Sequence, residues 1–457
     1  MSLDQSFLRQ IMALFGERAT DAQAVRQAHG LSEAYHAAQP PDLVVFPESA
    51  EEAQQLVRLC ARFKVPMIPF GAGTSLEGNA SAPHGGVCVD MTHMNRVIEI
   101  NADDLDCRVQ PGITRKALNA HLRDAGLFFP IDPGADASIG GMTSTRASGT
   151  MAVRYGTMRE NVIGLEAVMP NGELIRTSRR ARKSSAGYDL TRLMVGAEGT
   201  LGLITEVTLR IYPLPEAVSA ATCPFPSLSD AVRCVIEIMQ MGLSVARIEF
   251  LDAVMIRGVN QHAKMSHAEA PTLFLEFHGT AQGVEEQARR AQEIALGHGG
   301  ERFQWATQPE DRSRLWSARD NTLYAGLGLR PGARAMITDV CVPISALAEC
   351  LIETQTDIES SRLIVPIVGH VGDGNFHTVI LVPPEPDGLE RAWALDKRIV
   401  ARAQALGGSC SGEHGVGIGK REFLDAEHGA ETLAVMRQIK TALDPRGIMN
   451  PGKMFLN

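Results

Sequence analysis

Cysteine pairs, abundant aromatics, long apolar runs and excess positive charge are all missing from this sequence. The eight cysteines, at 60, 88, 107, 223, 234, 341, 350 and 410, form no Cys-x-x-Cys pair. Such scatter argues against a zinc ribbon, a cluster-binding motif and a disulfide framework alike, and the cysteines are expected as reduced core residues. Aromatics are only 5% of the residues, so stacking platforms are not expected. The longest unbroken apolar run, Leu363 to Val368, falls far short of the ~20 residues of a membrane-spanning helix, and no span is expected. A net charge of -9 leaves one local basic cluster, Arg176, Arg179, Arg180, Arg182 and Lys183, and makes nucleic acid an unexpected partner. The first 18 residues have neither the basic start nor the apolar centre of a secretion signal, which points to the cytoplasm, or to a place peripheral to the inner membrane.

What is present suits an enzyme. The chain has 457 residues, enough for two or three domains with real cores. With 43 glycines and 24 prolines, backbone turns and close approaches to a ligand are expected to matter. Residues 43–46 read as a strand. Ser49 and Glu52 form a capping box opening a helix with Ala53, Leu56, Val57, Cys60 and Phe63 on one face, and residues 66–70 read as a second strand. A helix is expected over 114–125, then an irregular run at 128–141 whose prolines and glycines oppose helix. Strands at 165–169 and 173–177 flank Pro170, Asn171 and Gly172 as a hairpin, and the strand pattern of 201–212 ends in PLPE. The second half mixes strands near 245–250, 272–277 and 336–342 with helices near 282–296, 309–325, 344–357 and 388–406. Strands at 362–368 and 378–382 bracket the loop GHVGDGNFH, and a last helix is expected at about 430–443.

Two glycine-rich stretches invite a phosphate-binding reading. Gly71, Gly73 and Gly78 follow a strand, but the spacing is not that of a dinucleotide fingerprint, and Asn79 and Ala80 stand where a P-loop has Lys and Ser/Thr. An ordinary tight turn is the alternative. A second stretch, Pro133, Gly134, Ser138, Gly140, Gly141, Ser144, Ala147, Ser148 and Gly149, offers many small residues whose N–H groups could surround an anion.

PFGAGTSLEG, PGADASIGGM, SGTMAVRYGTMRENVIGLEAVMPNG and GAEGTLGLITEVTLR resemble the FAD-binding half of the vanillyl-alcohol-oxidase flavoproteins, in the branch of FAD-dependent D-lactate and glycolate dehydrogenases. GEHGVGIGK and DPRGIMNPGK resemble the end of the same branch. The resemblance implies an α+β fold: a two-part PCMH-type FAD-binding domain, a mixed α+β substrate or cap domain, and a C-terminal segment returning to the FAD domain. The expected boundaries are 1–37 (helical segment), 38–216 (FAD domain), 217–409 (cap) and 410–457 (C-terminal segment). It further implies that Pro69, Gly71, Ala72, Gly73, Thr74, Ser75 and Gly78, together with the second stretch, hold FAD, with Glu198, Gly199, Ile204 and Asn450 nearby. Because neither His nor Cys occurs between Asp132 and Gly164, the FAD is expected to be non-covalent. Met151 departs from the Asn expected in lactate-oxidising members.

His370 ends one expected strand and His377 begins the next, so a tight loop could bring both imidazoles to one side. They read either as hydrogen-bonded loop histidines or as metal ligands, and the adjacent Glu413 and His414 favour the second, since two imidazoles and a carboxylate leave positions open for substrate. The resemblance implies His370, His377 and Glu413 as ligands to zinc or manganese, His414 as catalytic base, and Arg319 as the partner of the substrate carboxylate. The implied reaction is oxidation of a D-2-hydroxy acid, foremost D-lactate, by hydride transfer to the flavin, with a cytochrome, quinone or electron-transfer flavoprotein as acceptor. Alternatives are a glycolate or D-2-hydroxyglutarate dehydrogenase, an ether-lipid synthase, or a non-catalytic flavin-binding subunit of an oxidase complex. The 2-hydroxyglutarate members use a Lys and an Asn that align with Ile337 and Val379 here, which implies a short monocarboxylate substrate.

Overall fold

The computed structural model describes residues 3–31 and 35–456. They fall into two compact units. The first holds the chain up to Ser148, then Gly156–Leu214 and the stretch from Glu413 onward, while the second holds Gly149–Tyr155 and Pro215–Gly412. No helix among the described residues is long and apolar enough to cross a membrane.

In the first unit, Leu43–Val45 and Met67–Phe70 run parallel on either side of Val87–Asp90, with Ala19–Thr20 antiparallel at one edge. The helix Ala50–Phe63 connects the first two of these runs and buries Ala53, Leu56, Val57 and Cys60. Ser49 caps it, accepting the N–H of Glu52 at 3.2 Å, but the expected box does not close. The Glu52 carboxylate instead accepts the Glu48 N–H at 2.8 Å and both guanidinium arms of Arg18 at 2.6 Å, a charge-assisted pairing stronger than one neutral amide bond. A five-stranded antiparallel sheet follows, in the order Val97–Asn101, Asp106–Val109, Leu203–Arg210, Val162–Val168, Leu174–Arg176. The hairpin between its last two strands turns at Gly172, φ +82°. The run expected to oppose helix gives way at Ile139–Thr145. There Ser138 caps the N–H of Gly141 at 3.3 Å, and the bare Gly140 lets the turn press onto Pro111, whose Cβ would lie 2.5 Å from an added Cβ. The C-terminal helix, Leu424–Leu443, is broken at Gly429.

The second unit is an antiparallel sheet. Its order is Gln304–Ala306, Ala217–Pro224, Thr272–Gly279, Val245–Leu251, Ile367–His370, Asn375–Val382, Arg334–Ile337, with Val340–Cys341 also paired to Asn375–Val382. Helices Ala253–Ala263, Pro309–Asp320 and Thr322–Gly328 cover the face that carries Leu251, Phe274, Val368, Val379 and Leu381. Residues of the opposite parity, Phe250, Leu275, Phe277 and Ile380, are buried as well, so both faces are covered. Several expectations are corrected here. The strand placed at 362–368 begins only at Ile367. Ile364 and Pro366 still accept from Leu381 and Val379, but Pro366 has no N–H to return. His377 is the third residue of its strand rather than the first, and the turn shrinks to residues 371–374. The helix expected over 309–325 divides at Asn321, and the strand at 336–342 divides in two. The strand Ala217–Pro224 and the helices Leu228–Gln240 and Ala253–Ala263 were not anticipated.

Candidate active site

The two glycine stretches meet in the first unit. A Cβ on Gly71 would lie 2.1 Å from the Ser138 Oγ, and one on Gly141 would lie 3.0 Å from the same atom. Gly73 and Gly78 both take φ +70°, which a side chain would strain, and Gly78 also packs against Ile418, whose Cγ1 would lie 2.6 Å from an added Cβ. Gly199 closes against Pro69, whose Cγ would be 2.6 Å from an added Cβ, and the Glu198 N–H donates to the Ser144 carbonyl at 2.9 Å. Asn450 completes the group. Its N–H donates to Met67 O at 2.8 Å, and its Nδ2 to Glu198 O at 2.7 Å and to Asn79 O at 3.2 Å. Pro69, Gly71, Ser138, Gly141, Ser144, Glu198, Gly199 and Asn450 are therefore neighbours, with Ile204 buried in the adjoining strand. Ser148 ends the first stretch of this unit and Gly149 belongs to the other. A cradle of main chain with little side-chain bulk is what close approach of a pyrophosphate requires, so the residues fit FAD.

The Glu198 side chain, 4% exposed, reaches toward the C-terminal loop. Its two oxygens accept Asn79 Nδ2 at 2.6 Å, Val416 N at 2.7 Å and Gly417 N at 2.8 Å. Burial pushes its pKa up, and these three donors oppose that. The same loop carries Glu413 and His414. The His414 Nδ1 lies 3.9 Å from Glu77 Oε1, and the Glu77 carbonyl accepts from Ile418 at 2.8 Å and from Gly419 at 3.2 Å.

In the second unit a row of polar side chains crosses the covered face of the sheet. Phe250 pairs with Gly369 and His370 with Asn375, so the register sets Glu249 opposite His370; Val368 pairs with His377. Residues 249, 368, 370, 375, 377 and 379 thus share one face. The two imidazole centroids are 5.4 Å apart. The Nδ1 of His370 meets Glu249 Oε1 at 2.7 Å and that of His377 meets the Thr338 carbonyl at 3.1 Å, and since both oxygens only accept, each Nδ1 carries the proton. In the neutral form of each ring the electron-pair donor is then Nε2, the arrangement of a metal-ligating histidine. Asp339, fully buried, accepts Asn375 Nδ2 at 2.8 Å and Ser411 Oγ at 2.9 Å. Arg319 donates its Nε at 2.8 Å, and its Nη2, to Glu249 Oε2, and its Nη1 at 3.3 Å to Thr322 Oγ1. Burial pushes the Glu249 carboxyl up, but His370 and Arg319 outweigh it and hold the group below the usual carboxylate range. Sequence reasoning passed over Glu249 and Asp339; the signal available was a lone carboxylate in each of two apolar strand patterns, VARIEFL and AMITDVCV.

A flavin-linked oxidoreductase, with a backbone-lined cofactor cradle in one unit and a histidine and arginine row in the other, is the class these features define. The chain belongs to the FAD-linked oxidase family of PCMH-type flavoproteins, matching "FAD linked oxidases, C-terminal domain" over residues 214–454 and "FAD binding domain" over residues 41–178. Among its relatives, a probable D-lactate dehydrogenase, mitochondrial, of Danio rerio is 51% identical over 94% of this chain and 88% of the relative. The D-lactate dehydrogenase [cytochrome], mitochondrial, of Arabidopsis thaliana is 46% identical over 99% of this chain and 80% of its own length. The solved structure of p-cresol methylhydroxylase with substrate bound shares the fold, with a TM-score of 0.83 at 17% identity, covering 100% of this chain and 98% of that one.

Proposed function

We propose that the protein oxidises a D-2-hydroxy acid, D-lactate before others, to the 2-oxo acid, using non-covalent FAD and a divalent cation, zinc or manganese, at His370, His377 and Glu413. The observation that carries this reading is the contact of each Nδ1 with an oxygen acceptor, which directs the two Nε2 atoms to serve as ligands on one sheet face. Glu413 joins them by chain connectivity. It follows Gly412, where an added Cβ would lie 2.3 Å from Asn375 Nδ2, and Asn375 is the ladder partner of His370. Bound FAD would supply the acceptor for the α-hydrogen and its electron pair. A bound cation would lower the pKa of the substrate hydroxyl.

The protein's own groups do the rest. Arg319, locked along one edge by Glu249, presents its Nη1 side to the substrate carboxylate. Glu77 beside His414 Nδ1 favours the proton there, which leaves Nε2 to accept the hydroxyl proton. Substrate length is set by Ile337 and Val379, which face each other across the ladder on the histidine side of the sheet. Burying a second carboxylate against this apolar pair would leave it without a partner, which disfavours D-2-hydroxyglutarate. A cytochrome is the first acceptor to test, with quinone and electron-transfer flavoprotein next. The cytoplasmic placement is part of the same proposal, to be decided by cell fractionation. Anaerobic addition of D-lactate should bleach the flavin band of the purified protein; a band unmoved by D-lactate, or reduced more efficiently by D-2-hydroxyglutarate, would overturn the assignment. Heat or acid should release the flavin.

A further inference from the structure

We propose that Glu249 is a positioning residue that joins the two halves of the substrate site, fixing the tautomer of His370 with one carboxylate oxygen and the orientation of Arg319 with the other. The inference rests on the reading of His370 as a metal ligand and Arg319 as the carboxylate partner. The geometry is specific. Glu249 is fully buried near the middle of the sheet and stands opposite His370 in the ladder. Oε1 meets the imidazole, at 2.7 Å from Nδ1, and Oε2 meets the guanidinium, at 2.8 Å from Nε with Nη2 beside it. A carboxylate here accepts on both sides, and no neutral side chain of the same size can do so.

Arg319 lies 7% exposed at the end of Pro309–Asp320, on the helix layer over the same face, and His370 lies on the neighbouring strand. One side chain therefore holds a group that would touch the substrate's carboxylate and a group that would hold the cation at its hydroxyl. If Glu249 is replaced by Gln, the amide oxygen can satisfy Arg319 only by turning the amide N–H₂ toward His370 Nδ1. That nitrogen must then become the acceptor, which moves the proton to Nε2 and removes the lone pair a metal needs.

The test is a nitrogen-15 spectrum of histidine-labelled, metal-free, FAD-loaded protein, with His370 assigned from His370→Asn. The wild type is expected in the Nδ1–H form and Glu249→Gln in the Nε2–H form, with manganese affinity lowered about 10- to 100-fold in the variant and flavin content unchanged. Glu249→Asp keeps both accepting oxygens at shorter reach and should restore the Nδ1–H form. A wild type already in the Nε2–H form, which can be seen without any variant, would refute the proposal. So would a Glu249→Gln protein with wild-type tautomer and wild-type manganese affinity. Failure of the underlying reading looks different: the wild type would then bind no manganese or zinc at all, while the tautomer shift on substitution persisted.

Discussion

His414 and Arg319 carry the sharpest expectations at the scale of single residues. His414→Ala should keep FAD and metal but slow flavin reduction by roughly 100-fold or more, the range expected for losing a general base. Rapid-reaction kinetics with metal analysis checks this, and a metal-replete variant reducing at the wild-type rate removes His414 from the mechanism. Arg319→Lys keeps a charge but not the fork that grips Glu249 on one edge, so kcat/KM for D-lactate should fall roughly 10- to 100-fold, mainly through KM. Lys453 gives a pH prediction. Burial lowers its amine from 10.5 to about 7, and it donates to Ser81 O at 2.6 Å and to Asn450 Oδ1 at 3.0 Å. Because the folded pKa lies below the unfolded one, the unfolded chain binds more protons between those values. The penalty of the buried amine is complete below about pH 7 and is relieved as pH rises toward 10.5. Lys453→Met should therefore raise Tm, relative to wild type, more at about pH 6.5 than at about pH 9.5; equal changes in thermal melts at both values would contradict the depressed pKa.

At the scale of elements, the proposed cofactor site draws on the glycine-rich turn after Met67–Phe70 and on the helix Ile139–Thr145. Gly71→Val would drive a side chain into Ser138 and separate the two glycine stretches, so the flavin-to-protein absorbance ratio should drop; an unchanged ratio would count against their role. The loop Gly415–Gly417 depends on Glu198. Glu198→Ala leaves the N–H groups of Val416 and Gly417 without their acceptor, at a cost of about 1–3 kcal/mol each, and frees the backbone two residues from His414. Lower Tm together with lower kcat is the expected outcome. The glycine loops were legible in the sequence because only small residues tolerate such approaches. The second-unit strands and helices were less so: Ala217–Pro224 ends in Pro224, and its small residues Ser219, Ala220, Ala221 and Thr222 give little alternation to read.

Across the whole molecule, the redox function joins chemistry from separate stretches of chain. Removing the metal with a chelator should abolish D-lactate oxidation while leaving FAD bound, and zinc or manganese should restore it; full turnover of the metal-free enzyme would exclude the proposed cation. No disulfide joins the eight cysteines among the described residues, and burial pushes the thiols of Cys107, Cys223 and Cys234 up to about 12, so these stay protonated and should resist alkylation in the folded state.

By itself the sequence determined the glycine-rich loops and the spacing of His370 and His377, because each follows from residue type and local order. Its motifs also carried the family. Tertiary structure alone decided that Glu249 and Asp339 are interior groups. In VARIEFL, strict alternation reads Glu249 as the solvent side of a strand, and only the helices laid over that face bury it. The pairing of Ile337 with Val379 and of Glu249 with His370 likewise required the ladder register, which joins residues more than forty and more than a hundred positions apart, while the pairing of Glu249 with Arg319 required a helix packed over the same face; neither leaves a mark in the local sequence.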